Sequence, residues 1–368
     1  MVLGLILMGA CVGVGAQASA VGSKDIVDTA LQPTCPPAYL PASLTGYLPH
    51  PCDFDNVTDV NRTSLEHEYG LAPPNYRLPA RTRVGRARLQ VSNLDRSIAY
   101  YRDVLGLRVL QSDVTTARLG PHGVDTVLLE LHGRRGARAV PPAGLLGLYH
   151  FAILLPSRAA LGRFVRHLIE HEVKFGSADH SVSEAIYLWD PDGLGIEVYA
   201  DRPRDAWRGT GRELLMGTER LDLRSVTEAG GRETWTGMPP GTAKGHMHIS
   251  VGNLAAARNF YHTALGLDTV VWSYPGALFM SAGGYHHHLG TNTWAAGAQP
   301  ATDEDAKLLE WELLLPRPAD VNQACESLRS AGYTVAHDGE TGRALDPWGT
   351  RLRLRSANEK LTPVRTKN

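Results

Sequence analysis

The sequence predicts an α+β protein built from four βαβββ-like modules. Three observations carry this. First, RVGRARLQVSNLDRSIAYYRDVLGL, from Arg83, matches AKGHMHISVGNLAAARNFYHTALGL, from Ala243. Second, LYHFAILLPSRAALGRFVRHLIEHEVKF, from Leu148, matches LEWELLLPRPADVNQACESLRSAGYTV, from Leu309. Third, the spacing repeats: Arg86 to His150 is 64 residues, and so is His246 to Glu310. Self-similarity at a fixed spacing is a stronger signal than any single motif.

Each element follows from local pattern. The first pair of segments reads as an alternating strand, an Asn-Leu turn and an amphipathic helix ending at Leu-Gly-Leu. That glycine suits a left-handed helix end. The second pair reads as strand, turn and helix, followed by LWDPDGLGIEVYAD and ALDPWGTRLRLRS. Their Asp-Pro-x-Gly turns launch a last strand. Residues 78–143 form module one, 144–205 module two, 206–241 a linker, 242–300 module three and 301–357 module four. Residues 358–368 are a tail.

The repeats allow equivalent positions to be compared. One slot on the first strand holds Arg86, His150, His246 and Glu310 in module order. A slot on the last strand, seven residues after the turn Asp, holds Glu197 in module two and Arg353 in module four. His150, His246 and Glu197 make up a 2-His-1-carboxylate set, which leaves neighbouring coordination positions open. Arg86, Glu310 and Arg353 read as a second site in which an ion-pair cluster replaces the metal. Pairing modules in chain order would mix the two sets and bring an arginine to the metal. Pairing module two with three, and one with four, gives one complete triad and one complete cluster.

The modules, with His in GHMHISV and YHFAILLP and Glu in GIEVYAD, resemble the vicinal oxygen chelate superfamily. Within it they resemble the type I extradiol dioxygenases, and bacterial catechol 2,3-dioxygenases in particular. The stretches YHFAILLPSR, ADHSVSEAIYLWDPDGLGIEVYADRPR and SAGGYHHHLGTNTW carry the likeness, which spans roughly residues 78 to 356. The resemblance implies two pseudo-symmetric half-barrel domains. It implies Fe(II) or Mn(II) on His150, His246 and Glu197, with a catechol and O2 as substrates. It maps acid/base roles onto His287 and His180, and a substrate-contacting role onto Tyr187. It also admits a homo-oligomer. Thr291 departs from the family pattern, which usually has an apolar residue there.

Other residues receive plainer readings. In GGYHHHLG, read as a strand, His286 and His288 share one side and His287 takes the other. His286 and His288 then face away from the pocket, beside it or at the surface. His248 shares a face with His246 and is an alternative ligand. Trp189, Trp294 and Trp348 read as packing residues, His262 and His337 as solvated, and Cys325 as buried. The same fold leaves two other functions open, a glyoxalase-like isomerase or thiol transferase and a metal-free binder of aromatic drugs.

Bulk properties narrow the partners. The chain of 368 residues is 43% apolar and 20% charged, with net charge −1. Nothing in that balance favours nucleic acid or an anionic membrane surface. No stretch is apolar enough for a transmembrane helix. Residues 1–20 read as a signal-peptide core ending in a small-residue cleavage site, which leans towards an extracytoplasmic location; the family itself is cytoplasmic by default. Residues 21–77 read as a Pro-rich irregular arm holding Cys35, Cys52 and sequons at Asn56 and Asn61.

Overall fold

The computed structural model describes residues 69–357. The expectations for residues 1–20, Cys35, Cys52, Asn56, Asn61 and the tail fall outside them. No helix of the described residues is long and apolar enough to cross a membrane.

Module one contributes β1 (Arg83–Val91), α1 (Leu94–Asp103), β2 (Arg108–Ser112), β3 (Thr116–Gly120) and β4 (Leu129–Gly133). Module two contributes β5 (Gly147–Leu154), α2 (Arg158–Glu170), β6 (Gly176–Asp179), β7 (Ser183–Trp189) and β8 (Gly195–Asp201). The linker holds β9 (Gly209–Thr210), β10 (Glu213–Leu214) and α3 (Leu223–Ala229). Module three holds β11 (Ala243–Ser250), α4 (Leu254–Arg258), β12 (Asp268–Val271), β13 (Ala277–Ser281) and β14 (Leu289–Asn292). A π-helical turn, Asn259–Ala264, extends α4. Module four ends the fold with β15 (Lys307–Leu315), α5 (Pro318–Ser330), β16 (Val335–His337), β17 (Thr341–Leu345) and β18 (Arg351–Ser356).

The repeat signals act where the sequence places them. Asn93 and Asn253 cap α1 and α4, each side chain accepting a bond from a backbone N–H three residues on. Gly106 and Gly266 end these helical segments at φ +75° and +99°, where a side chain would be strained. In the Asp-Pro-x-Gly turns, Asp190 accepts from the Asp192 and Leu194 N–H groups, and Asp346 from those of Trp348 and Thr350.

Two eight-stranded sheets result, ordered β12-β13-β14-β11-β5-β8-β7-β6 and β16-β17-β18-β15-β1-β4-β3-β2. The first joins modules three and two and the second joins four and one, so the module pairing is two with three and one with four. At the seams, β5 runs antiparallel to β11 with His150 opposite His248, and β1 antiparallel to β15 with Arg88 opposite Glu310. One apolar core runs through all four modules, from Leu89 and Leu131 through Phe151 and Ile196 to Met247 and Trp311.

The ion cluster differs from expectation in its carboxylates. Arg86 bridges Glu130 at 2.6 Å and Glu312 at 2.8 Å, and not Glu310. Glu310 lies 3.6 Å from Arg88, while Glu312 also meets Arg353 and Arg355. Comparing one slot per strand overlooked Glu312, two residues beyond Glu310 on the same face, and Glu130 on the neighbouring strand. Burial alone would raise the Glu130 carboxyl, but hydrogen bonding from His132 and the charges of Arg86 and Arg88 lower it to about 2. His262 is likewise not solvated: it is buried in the π-helical turn, with Nδ1 donating to the Leu267 carbonyl at 2.7 Å. Trp189, read as a packing residue, is 44% exposed. Cys325 is fully buried.

Glu312→Ala would leave the Arg86 guanidinium buried with one carboxylate fewer. Removing one partner of a buried pair typically costs about 3–5 kcal/mol. Denaturant titration is expected to show that loss with an unchanged m-value.

Candidate metal centre

The sheet of modules two and three brings three buried side chains to one point. His150 projects from β5, Glu197 from β8 and His246 from β11. His150 Nε2 and His246 Nε2 lie 3.0 and 3.1 Å from the same oxygen, Glu197 Oε2. One ligand atom from each residue falls within 4.8 Å of the others. Register explains the convergence. β5 lies between β8 and β11, with Ala152 paired to Glu197 on one side and Phe151 to Met247 on the other. A register shift between Lys244 and Met247 sits at His246.

The donor set fits a divalent cation. Glu197 is fully buried, which by itself would raise its carboxyl; the close approach of the His246 and His150 rings to its Oε2 holds it well below the usual range. Burial lowers His246 to about 4 against the pull of Glu197, so its ring carries a free lone pair at neutral pH. His150 Nε2 is buried and, although close to Glu197, has no hydrogen bond aligned to it. A buried carboxylate with two imidazoles that lack better partners is the composition a metal ion satisfies.

His248 stands beside this group rather than in it. Its ring centroid is 4.9 Å from that of His150 and 5.1 Å from that of Tyr149. Gly290 lies flat against it, and a Cβ there would come within 3.0 Å of the imidazole. Trp294 covers the same rings at 5.2 and 5.6 Å, so it lines the site although 40% exposed. Thr291 is buried on β14, its hydroxyl 3.5 Å from the Leu278 carbonyl.

The three consecutive histidines do not lie in a strand. β14 begins at Leu289, and residues 285–288 form an irregular bend after Gly283 and Gly284, both at positive φ. Strand alternation therefore does not apply, and all three rings are buried. The His287 ring lies 3.9 Å from that of His246, centroid to centroid and tilted by 43°, and meets Phe279 at 5.0 Å. Burial first, then the neighbouring His246, hold the His287 ring well below the usual imidazole range. His286 is not a surface residue: its Nδ1 is 2.7 Å from His287 Nδ1 and its Nε2 is 2.9 Å from Asp201 Oδ1. His288 turns aside, and its Nδ1 accepts the Ala282 N–H at 3.2 Å.

His180 and Tyr187 meet on the other side of the site. His180 occupies the β6–β7 turn, and its Nδ1 is 2.7 Å from the Gly217 carbonyl, which can only accept. Nδ1 therefore carries the proton. In the neutral ring, Nε2 then accepts from the Tyr187 hydroxyl at 2.6 Å. Tyr187 pairs with Glu197 across β7 and β8, and its ring lies 5.6 Å from that of His150. Sequence reasoning missed Tyr199 and Asp201. A signal for them exists, since alternation along β8 puts Glu197, Tyr199 and Asp201 on one face.

A Catechol-2,3-dioxygenase of Bacillus subtilis (strain 168) is 41% identical over 270 residues, spanning 72% of this chain and 94% of that protein. A solved structure of a candidate dioxygenase from Bacillus subtilis subsp. subtilis str. 168 shares the fold with a TM-score of 0.52. It is 13% identical, over 77% of this chain and 87% of its own. The sequence model of the Glyoxalase/Bleomycin resistance protein/Dioxygenase superfamily matches residues 83–198 and 244–354. The first stretch holds His150 and Glu197 and the second holds His246, and the chain belongs to this superfamily.

Proposed function

We propose that the protein is an extradiol ring-cleaving dioxygenase acting on catechol or a substituted catechol. The observation that carries this reading is the approach of His150 and His246 to one buried Glu197 oxygen, with the His287 ring against that of His246. The 41% identical relative supports it independently. Fe(II) or Mn(II) held by His150, Glu197 and His246 would supply Lewis acidity toward a diol and a centre for dioxygen chemistry. Both oxygen atoms of O2 enter the product, a muconic semialdehyde, so no external reductant is required.

The side chains divide the remaining work. His287, whose ring lies against that of His246, would serve as base toward the second catechol hydroxyl and afterwards as acid for the opened ring. His180 holds the Tyr187 hydroxyl, placing a polar group over the side of the site nearest His150. The aromatic rings of Tyr149, Trp294 and Phe279 around His248 suit contact with a flat substrate ring.

Catechol added under air to protein reconstituted with Fe(II) is expected to give a yellow product with equimolar oxygen uptake. A product formed without oxygen consumption would remove the dioxygenase reading. Glu197→Ala is expected to reduce bound metal to background by elemental analysis. His287→Asn is expected to retain metal and lose about 10²- to 10⁴-fold in kcat, the usual contribution of a positioned acid/base group.

A further inference from the structure

The bend at residues 285–288 carries a hydrogen-bond chain that leads away from the metal group. Asp201 Oδ1 lies 2.9 Å from His286 Nε2, and His286 Nδ1 lies 2.7 Å from His287 Nδ1. The same Asp201 oxygen accepts from the Tyr285 hydroxyl at 3.2 Å. That hydroxyl is 2.6 Å from the Tyr199 hydroxyl, which completes a second branch. Two donors on one carboxylate oxygen hold its orientation.

We propose that Asp201 and His286 are positioning residues that hold His287 as its Nδ1–H tautomer, leaving Nε2 as the basic nitrogen. The chain assigns each proton. A carboxylate only accepts, so His286 Nε2 carries a hydrogen. In neutral His286, Nδ1 is then a lone pair, and a 2.7 Å contact requires His287 Nδ1 to donate. Reversing both protons would set a bare nitrogen against the carboxylate at 2.9 Å. The remaining arrangement makes His286 an imidazolium. That would place a cation in a ring with no exposed surface, 6.2 Å from the His246 ring. Burying a charge beside a site built for a cation is costly. A buried aspartate that selects a catalytic imidazole's tautomer is an established device in other enzymes. Here an intervening histidine would transmit that selection.

The catalytic consequence rests on the dioxygenase reading; the tautomer does not. The decisive measurement uses the full chain, metal-free and labelled with 15N-histidine, in a two-bond 1H–15N correlation near neutral pH. His287 is expected as Nδ1–H and His286 as Nε2–H. Finding His287 as Nε2–H, or His286 doubly protonated, overturns the assignment even if no variant folds. Asp201→Asn is expected to populate the Nε2–H form of His287. In the Fe(II) enzyme it should lower kcat for catechol by about 10- to 100-fold, the usual effect of losing an outer partner. KM and Mn(II) affinity should be unchanged, and Asp201→Glu should restore both tautomer and kcat. An active Asp201→Asn enzyme with wild-type kcat and an unaltered His287 spectrum also overturns it. A wild-type protein that consumes no oxygen with catechol would remove the dioxygenase reading alone, and the wild-type spectrum would still decide the tautomer.

Discussion

The antiparallel seam between β5 and β11 is the contact on which the site depends. It joins modules two and three across the linker, and it sets His150 opposite His248, two residues beyond His246. Glu197 reaches the same point because β8 runs parallel to β5 on its other side. A slip of one residue in either pairing would turn the donor side chains to the opposite face. The register shift at His246 and the Gly290 contact on His248 both belong to this seam.

The second sheet shows what the same scaffold does without a metal-type donor set. Its seam carries Arg86 where the first has His246, Glu310 where the first has His150, and Arg353 where the first has Glu197. The charge arrangement is inverted: guanidinium groups take the place of a cation, and Glu130 and Glu312 are gripped from several sides. Such pairs are costly to assemble and more costly to break, so they favour a specific arrangement more than raw stability.

The two sheets are also tied by a repeated lock. Tyr101 of module one donates to the turn residue Asp190 of module two, and Tyr261 of module three to Asp346 of module four. Each lock crosses from one sheet to the other. Burial raises the carboxyl of Asp190 to about 6, against the bonds it accepts from Leu194 and Tyr101. Modules one and two, and modules three and four, are thus bound through helices and turns, while two pairs with three and one with four through the sheet seams.

The module plan, the helix caps and the Asp-Pro-x-Gly turns were legible in the sequence, because each depends on residues only a few positions apart. The slot comparison also singled out His150, Glu197 and His246, since equivalent places in a repeat share one geometry. Other features required the folded chain. Glu312 and Glu130 displaced Glu310 as partners of Arg86 because reach across a sheet depends on side-chain length and neighbouring strands. The bend at residues 285–288 removed the alternation assumed for the three histidines, so His286 turned inward to Asp201. His180 and Tyr187, seven residues apart, are joined by a turn whose far anchor is the Gly217 carbonyl in the linker. Local pattern determined what each module is; the direction of each buried polar side chain was decided by partners that only tertiary contact supplies, because a buried donor or acceptor must find a mate wherever the fold places one.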